Sequence, residues 1–457
     1  MRRNASTYLE NWLHDPNRRP LVVRGARQVG KTWLIRDLAG RAGRDLVELN
    51  FERDPRLARH FADHDPRRVL ENLALTLDRD ISPERSLLFL DEVQAAGEVL
   101  ASLRWFAEEL PALPVVAAGS LLELRLGQGG HGMPVGRVSY CHVGPLSFPE
   151  YLRAHDQHRL LEHLGAWLPG QALALAAHEQ ANVWFERYVM VGGMPRVVTA
   201  DVDANDARAT RRLQHDLAAS FRDDFTKYAG RADPSLLDAV LLAIAANLGR
   251  KFVYAHIGEG VKQHQAKRML ALLAEARVCH LVRHTHANGL PLGGEVKETF
   301  RKAILLDVGL AHALLATPAG PRFPKLGELS PAVRGQLMEQ IAGQQLAALD
   351  DDACSEPALY YWQREGGRPG EIDFVCSLQQ RIVPIEIKSG ATGAMKSLHQ
   401  FMFDKNLTAA VRLVASPPVV QTMAVKTTQG QDVTYRLASL PHYLAWRLPQ
   451  VMASLSG

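Results

Sequence analysis

The sequence predicts a multidomain α/β protein: a parallel-sheet domain first, a helical middle that includes a winged-helix unit, and a second α/β domain at the end. Three observations predict it. "RPLVVRGARQVGKTWLIRDLAG" joins an aliphatic run, Leu21 to Val23, to a glycine loop and then an amphipathic helix, the order strand, loop, helix. "PSLLDAVLLAIAANLG" and "HQAKRMLALLAEA" are two helical patterns followed by extended runs about an Asn-Gly turn. "GEIDFVCSLQQRIVPIEIKSG", from Gly370 to Gly390, is two apolar segments around a polar turn, with Asp373, Glu386 and Lys388 set among aliphatic residues.

At 457 residues the chain exceeds what one hydrophobic core organises, so two to four domains are expected. With 47% apolar and 22% charged residues it sits near globular averages, away from disordered or fibrous classes. A formal charge of +4 is small for this length, so any polyanion partner must be argued from local clusters. Cys141, Cys279, Cys354 and Cys376 lack the short spacings of a zinc site or redox pair and read as buried thiols of a reducing cytosol. The basic N-terminus is followed by no apolar core, and no later stretch is apolar enough to span a bilayer. A cytoplasmic protein without a membrane anchor is expected.

In the first loop, Gly25 and Gly30 let the backbone bend so that its amides face a phosphate chain, helped by the positive end of the following helix. The nucleotide-binding stretch is therefore expected to be Gly25, Ala26, Arg27, Gln28, Val29, Gly30, Lys31, Thr32 and Trp33. Lys31 reaches the β- and γ-phosphates and Thr32 holds Mg²⁺. "SLLFLDEVQ" is an aliphatic strand ending in Asp91, which meets the metal's water shell, and Glu92, which polarises the attacking water. "LPVVAAGS" gives a third buried strand whose Ser120 is placed to sense the γ-phosphate or the attacking water. Arg137, in "MPVGRVSYCHVGPLSFPEYL", is a candidate charge-stabilising arginine, acting within the chain or across a subunit contact in a homo-oligomer.

The order of phosphate loop, "LDEVQ", "AAGS", "VGR" and "GPLSFPEYL" resembles a prokaryotic family of AAA-type ATPases that carry a carboxy-terminal domain of unknown function. "VGGMP", "FRKAILLDVGLAHAL" and "SLPHYLAWRL" extend the likeness over nearly the whole chain. The resemblance implies ATP binding, ATP hydrolysis, and a sheet domain followed by a helical lid.

Helical spacing between Phe148 and Tyr228 fits that lid. In the winged-helix unit, Lys262, His264, Lys267 and Arg268 surround the start of the recognition helix, and Arg283, His284 and His286 are expected on the wing, where they would meet DNA phosphates. A solvated basic face used for protein contacts is the plainer reading of the same residues.

"ATPAGPRFPKLGELSP" reads as a linker into the final domain, whose first helix carries Glu339. If the quoted hairpin closes on a tight turn at Gln379-Gln380, Leu378 faces Arg381 and, counting back along both strands, Asp373 faces Glu386. Opposed carboxylates repel, so a cation must compensate. Mg²⁺ or Mn²⁺ would do so, with Lys388 orienting or deprotonating the attacking water. Asp373 and Glu386-Ile387-Lys388, with Glu339 upstream, resemble the core of the PD-(D/E)xK nuclease superfamily; "EID" stands where that family has its proline-aspartate pair. Lys388 paired with either acid is the purely structural alternative.

The expected organisation is a P-loop ATPase domain over 1–147, a helical lid over 148–232, a winged helix over 233–316 and a restriction-endonuclease-like domain over 317–457. The expected function is ATP hydrolysis coupled to a nuclease-like domain acting on DNA. The rival is a signalling or scaffold ATPase whose last domain binds protein or nucleic acid without cutting it.

Overall fold

The computed structural model describes residues 2–119, 136–204, 206–228, 232–252, 257, 261–317, 320–349, 353–365, 370–390 and 395–455. Alternation along β1 (Leu21–Arg24) sends Leu21 and Val23 to one face and Val22 to the other, so both faces of its sheet need cover. The sheet also holds β2 (Asp45–Asn50), β3 (Ser86–Asp91), β4 (Val115–Ala118) and β5 (Ser139–His142) in the order β2-β3-β4-β1-β5, with every pair parallel. Helices α1 (Ala5–His14) and α2 (Lys31–Arg41) pack on the Leu21 side, and α3 (Pro66–Leu77) and α4 (Gly97–Glu109) on the Val22 side. Burial on both faces explains why β3 reads as an unbroken aliphatic run. The carboxyl ends of β1 and β3 open on one edge, where the glycine loop and the Asp91-Glu92 pair meet.

Five helices follow: α5 (Phe148–Ala154), α6 (His158–Ala166), α7 (Leu175–Val191), α8 (Pro195–Ala204) and α9 (Ala207–Asp223). They form the helical unit expected there. The entry to α5 is set by a capping box in which Glu150 Oε2 accepts the Ser147 backbone N–H at 2.7 Å.

The rest of the described chain shares one eight-stranded sheet. Helices α10 (Pro234–Ala246) and α11 (Gln263–Glu275) lead to β6 (Cys279–Thr285) and β7 (Val296–Leu305). After α12 (Val308–Leu314) and α13 (Pro331–Ala347) come β8 (Leu359–Gln363), β9 (Glu371–Leu378) and β10 (Arg381–Ile387). The chain ends with α14 (Lys396–Asp404), β11 (Ala409–Val414), β12 (Val419–Lys426), β13 (Asp432–Pro441) and α15 (Leu448–Ser454). The strand order is β12-β13-β11-β10-β9-β8-β6-β7.

Two expectations change here. The hairpin expected to form a free wing is part of this sheet, because β6 pairs parallel with β8 (Val282↔Leu359). Its second arm is also not the stretch just past Asn288-Gly289 but β7, which pairs antiparallel with β6. His284 is consequently buried, with Nε2 3.1 Å from Gln363 O, and cannot meet a phosphate, while Arg283 remains exposed. The sheet therefore runs across the boundary expected at 316/317. Helix α13 fastens the join: Gln340 exchanges two hydrogen bonds with the Leu305 backbone, donating at 2.8 Å and accepting at 2.9 Å.

The β9–β10 hairpin has the register read from the sequence, Leu378↔Arg381 through Phe374↔Ile385. Gln379 and Gln380 both have positive φ, 50° and 56°, as a two-residue hairpin turn with the native strand twist requires.

Candidate nucleotide site and C-terminal carboxylate cluster

Lys31 opens α2 and is buried, its Nζ donating to Gly25 O and Ala26 O, both at 2.9 Å. Gly30 caps the helix at φ 93°, a conformation that disfavours a side chain. The loop is held from outside by residues the sequence reading did not single out. Arg3 donates to Val29 O at 2.9 Å and pairs with buried Glu150 at 2.9 Å, and Gln28 donates to Ser220 of α9 at 3.2 Å. Arg27 pairs with buried Asp224 at 2.8 Å. A loop whose backbone amides must face phosphate is thus fixed by its own side chains to the helical unit above it.

Thr32 Oγ1 donates to Asp91 Oδ2 at 3.2 Å, and Asn50 Nδ2 donates to the same oxygen at 3.3 Å. Burial, with Glu92 adjacent, raises the Asp91 carboxyl above its ordinary range, against the Thr32 hydrogen bond and Lys31. A buried carboxylate facing a hydroxyl at the carboxyl edge of the sheet is a fit for a hydrated divalent cation. Glu92 sits in the left-handed region, φ 54° and ψ 42°, and accepts a short hydrogen bond from Gln94. Strained backbone of this kind is tolerated where position matters.

A cleft of about 380 Å³ is lined by Arg27, Gln28, Gly30, Lys31, Thr32, Trp33, Glu92, Pro195 and Arg196. Trp33 is 44% exposed there. Ser120 lies outside the described residues. Arg137 is not brought to the cleft; its Nε pairs with Glu108 of α4 at 2.8 Å. Two arginines do line the cleft: Arg27, which is paired with Asp224, and Arg196, the residue after "VGGMP". A Gly-Gly pair before it was the available signal: a Cβ on Gly192 would lie 2.1 Å from Asp307 Oδ1, and one on Gly193 would lie 2.2 Å from Leu146 O.

Residues 17–152 match the family model of the AAA domain. The N-terminal unit is thus similar to AAA-type P-loop domains. The AAA domain is followed by matches to two further models, a domain of unknown function (DUF8612) over residues 182–320 and a domain of unknown function (DUF4143) over residues 334–438. None of the curated proteins matches this chain. Among solved structures, the Walker-type ATPase PABY2304 of Pyrococcus abyssi is 16% identical over 68% of this chain and 94% of that one, with a TM-score of 0.43. The C. elegans PCH-2 structure is 13% identical over 43% of this chain and 58% of that one, with a TM-score of 0.25. Among the described residues no helix is long and apolar enough to cross a membrane.

The C-terminal candidates do come together. Asp373 Oδ2 accepts the Ile387 backbone N–H at 2.7 Å, and Lys388 Nζ donates to Glu386 Oε1 at 2.6 Å. Burial, then the nearby charge of Asp373, pushes Glu386 up to about 7, and the same two causes push Glu339 up to about 8. The compensating cation, however, is a side chain that the sequence reading passed over. Lys302 of β7 is buried, its Nζ is 3.7 Å from Glu339 Oε2, and it makes a short ion pair with Glu371. Burial alone would lower the Lys302 ammonium; Glu339, Glu371 and Asp373 together outweigh it and hold it raised. Among the described residues no group of three or more His, Cys, Asp or Glu is arranged to hold a metal ion. The expected metal set of Glu339, Asp373 and Glu386 therefore does not fit Mg²⁺ or Mn²⁺ in this arrangement, because an ammonium already neutralises part of it.

Proposed function

We propose that this protein binds and hydrolyses ATP in the AAA domain and uses the nucleotide state to bias how its C-terminal sheet engages nucleic acid. In the cleft, the loop amides and Lys31 bind the phosphates, and Thr32 and Asp91 are the residues that would hold Mg²⁺. Mg²⁺, when bound, neutralises phosphate charge. Glu92 orients and polarises the attacking water, and Arg196 supplies positive charge toward the terminal phosphate.

One observation carries the coupling. The turn before Arg196 is tied to the C-terminal unit: Gly193 N–H donates to Asp307 Oδ2 at 2.7 Å, and Gln344 of α13 donates to the same oxygen at 3.0 Å. Glu339 lies on that helix. A shift of Arg196 on phosphate release therefore pulls on the helix beside the carboxylate cluster. The order α13, β8-β9-β10, α14, β11, with antiparallel strands and then a parallel one (β10 beside β11), also supports the nuclease-like reading of the fold. Lys262, His264, Lys267 and Arg268 are exposed on and beside the start of α11 and form the favoured contact for DNA phosphates.

The test is phosphate release from ATP by the full chain with Mg²⁺, with and without plasmid and branched DNA. Hydrolysis that responds to DNA supports the reading. Absence of hydrolysis, or hydrolysis indifferent to every DNA tested, counts against it. A scaffold ATPase that binds protein through the same basic face is the outcome the second result favours.

A further inference from the structure

Four carboxylates, Glu339, Glu371, Asp373 and Glu386, converge between α13, β9 and β10, and two ammonium groups answer them. Lys388 is spent on Glu386 Oε1, 2.6 Å away. Lys302 enters from β7, the edge strand separated from β9 by β6 and β8, and stands between Glu339 and Glu371. It is only 2% exposed, so it is a constituent of the cluster and not a passing surface contact. The charge it brings does not complete the set: Glu386 Oε2 is buried with no hydrogen-bond partner among the described residues.

We infer that Lys302 is an internal cation that takes the place of a divalent metal and keeps the C-terminal cluster from binding one. Two facts make the ammonium a competitor and not a helper. A divalent ion needs several oxygens of one carboxylate set at about 2.0–2.6 Å, and Glu339 and Asp373 cannot close on such an ion while a buried ammonium sits among them. The ammonium is also tethered, since β7 is locked to α13 by the Gln340 bonds to Leu305, so it cannot swing out as a surface lysine would. The remaining demand for positive charge, marked by Glu386 Oε2, means that removing Lys302 converts the cluster into a metal-binding one. The inference rests on the nuclease-like reading of this domain. It assigns the wild-type cluster a role in holding the fold and engaging ligands without metal-dependent cleavage.

The experiment measures Mn²⁺ alone, without nucleotide or nucleic acid, by electron paramagnetic resonance on the full chain. The full chain is required because β6 and β7 belong to the same sheet as β8 to β13. The variants are Lys302→Met, Lys302→Arg and Lys302→Met with Asp373→Asn. Lys302→Met is expected to bind Mn²⁺ at least about tenfold more tightly than wild type, Lys302→Arg to behave as wild type, and the double variant to lose the gain. A folded Lys302→Met protein with no gain overturns the inference. If Lys302→Met does not fold, wild type against Asp373→Asn decides: equal Mn²⁺ uptake is expected, and a site present in wild type and lost in Asp373→Asn overturns it. None of these readings involves ATP or DNA, so failure of the proposed coupling is seen separately, in the phosphate-release assay.

Discussion

Gly193 donates its backbone N–H to Asp307 Oδ2 at 2.7 Å, across the boundary between the helical unit and the C-terminal sheet. Asp307 is fully buried, and its other oxygen accepts the Gly309 N–H at 2.8 Å. The bond joins the turn that places Arg196 in the nucleotide cleft to the strand end that places Lys302 in the carboxylate cluster. Both sites are therefore built on a shared polar junction, and a buried junction of this kind is costly to leave half-satisfied.

Lys31→Ala should weaken ATP binding, while Glu92→Gln should keep binding and slow turnover by a factor on the order of 10² to 10⁴. Lys31 supplies phosphate charge in the bound ground state, whereas Glu92 acts on the attacking water. Trp33, exposed in the cleft, offers a fluorescence readout of binding, and phosphate release gives turnover. Undiminished turnover in Glu92→Gln would remove Glu92 from catalysis.

Arg196→Ala should slow hydrolysis by a factor on the order of 10² to 10³, the size of the loss when one group stabilising transition-state charge is removed. Arg137→Ala should leave the rate of a monomeric preparation unchanged, because Arg137 is paired with Glu108 away from the cleft. Steady-state rates of the two variants at several protein concentrations check this. A loss in Arg137→Ala that appears only at high concentration would place that arginine in a neighbouring subunit's site.

Much of this was legible in the sequence, and the gaps have physical causes. The β9–β10 register could be counted from the turn because strand side chains repeat every two residues and a two-residue turn leaves no slack. The Lys31 loop was legible because strand, loop and helix are contiguous, while the meeting of Thr32 with Asp91, 59 positions on, followed only from the chemistry the two motifs share. The parallel pairing of β6 with β8 was not, since it joins segments some seventy-seven positions apart, Val282 and Leu359, with nothing local to report it. Lys302 was missed for the same reason: its strand was assigned to a separate winged unit, so its proximity to Glu339 and Glu371 could not be seen. Arg196 follows a glycine pair whose purpose, the close approach of Asp307 and Leu146, exists only in three dimensions.

Burial pushes the Asp307 carboxyl up to about 6, against the hydrogen bonds it accepts from Gly193, Gly309 and Gln344. The native state then holds a proton that the unfolded chain has already released. Its contribution to stability is full below about pH 4 and is lost as the pH rises through about 6, a fall on the order of 2–3 kcal/mol. Denaturation free energies of wild type and Asp307→Asn between pH 4 and pH 7 check the sign. A difference between the two that is flat, or that grows with pH, contradicts it.

Replacing Lys267 and Arg268 with alanine should weaken binding to unrelated DNA sequences alike. Each lost phosphate contact should reduce the log–log salt slope by about one. Both side chains are exposed on α11, so the fold should be unaffected and melting curves should coincide with wild type. An unchanged slope would assign this face to protein contacts.

The most direct test of the coupling is the DNA affinity of one preparation in three nucleotide states: Glu92→Gln loaded with ATP, the same protein with ADP, and the protein without nucleotide. The junction predicts affinities that differ between ATP and ADP by about fivefold or more, a typical coupling between linked sites, and a difference that collapses in Glu92→Gln carrying Gln344→Leu, which removes the Asp307 partner on α13. Equal affinity in all three states, in a protein shown to bind ATP, would contradict the account.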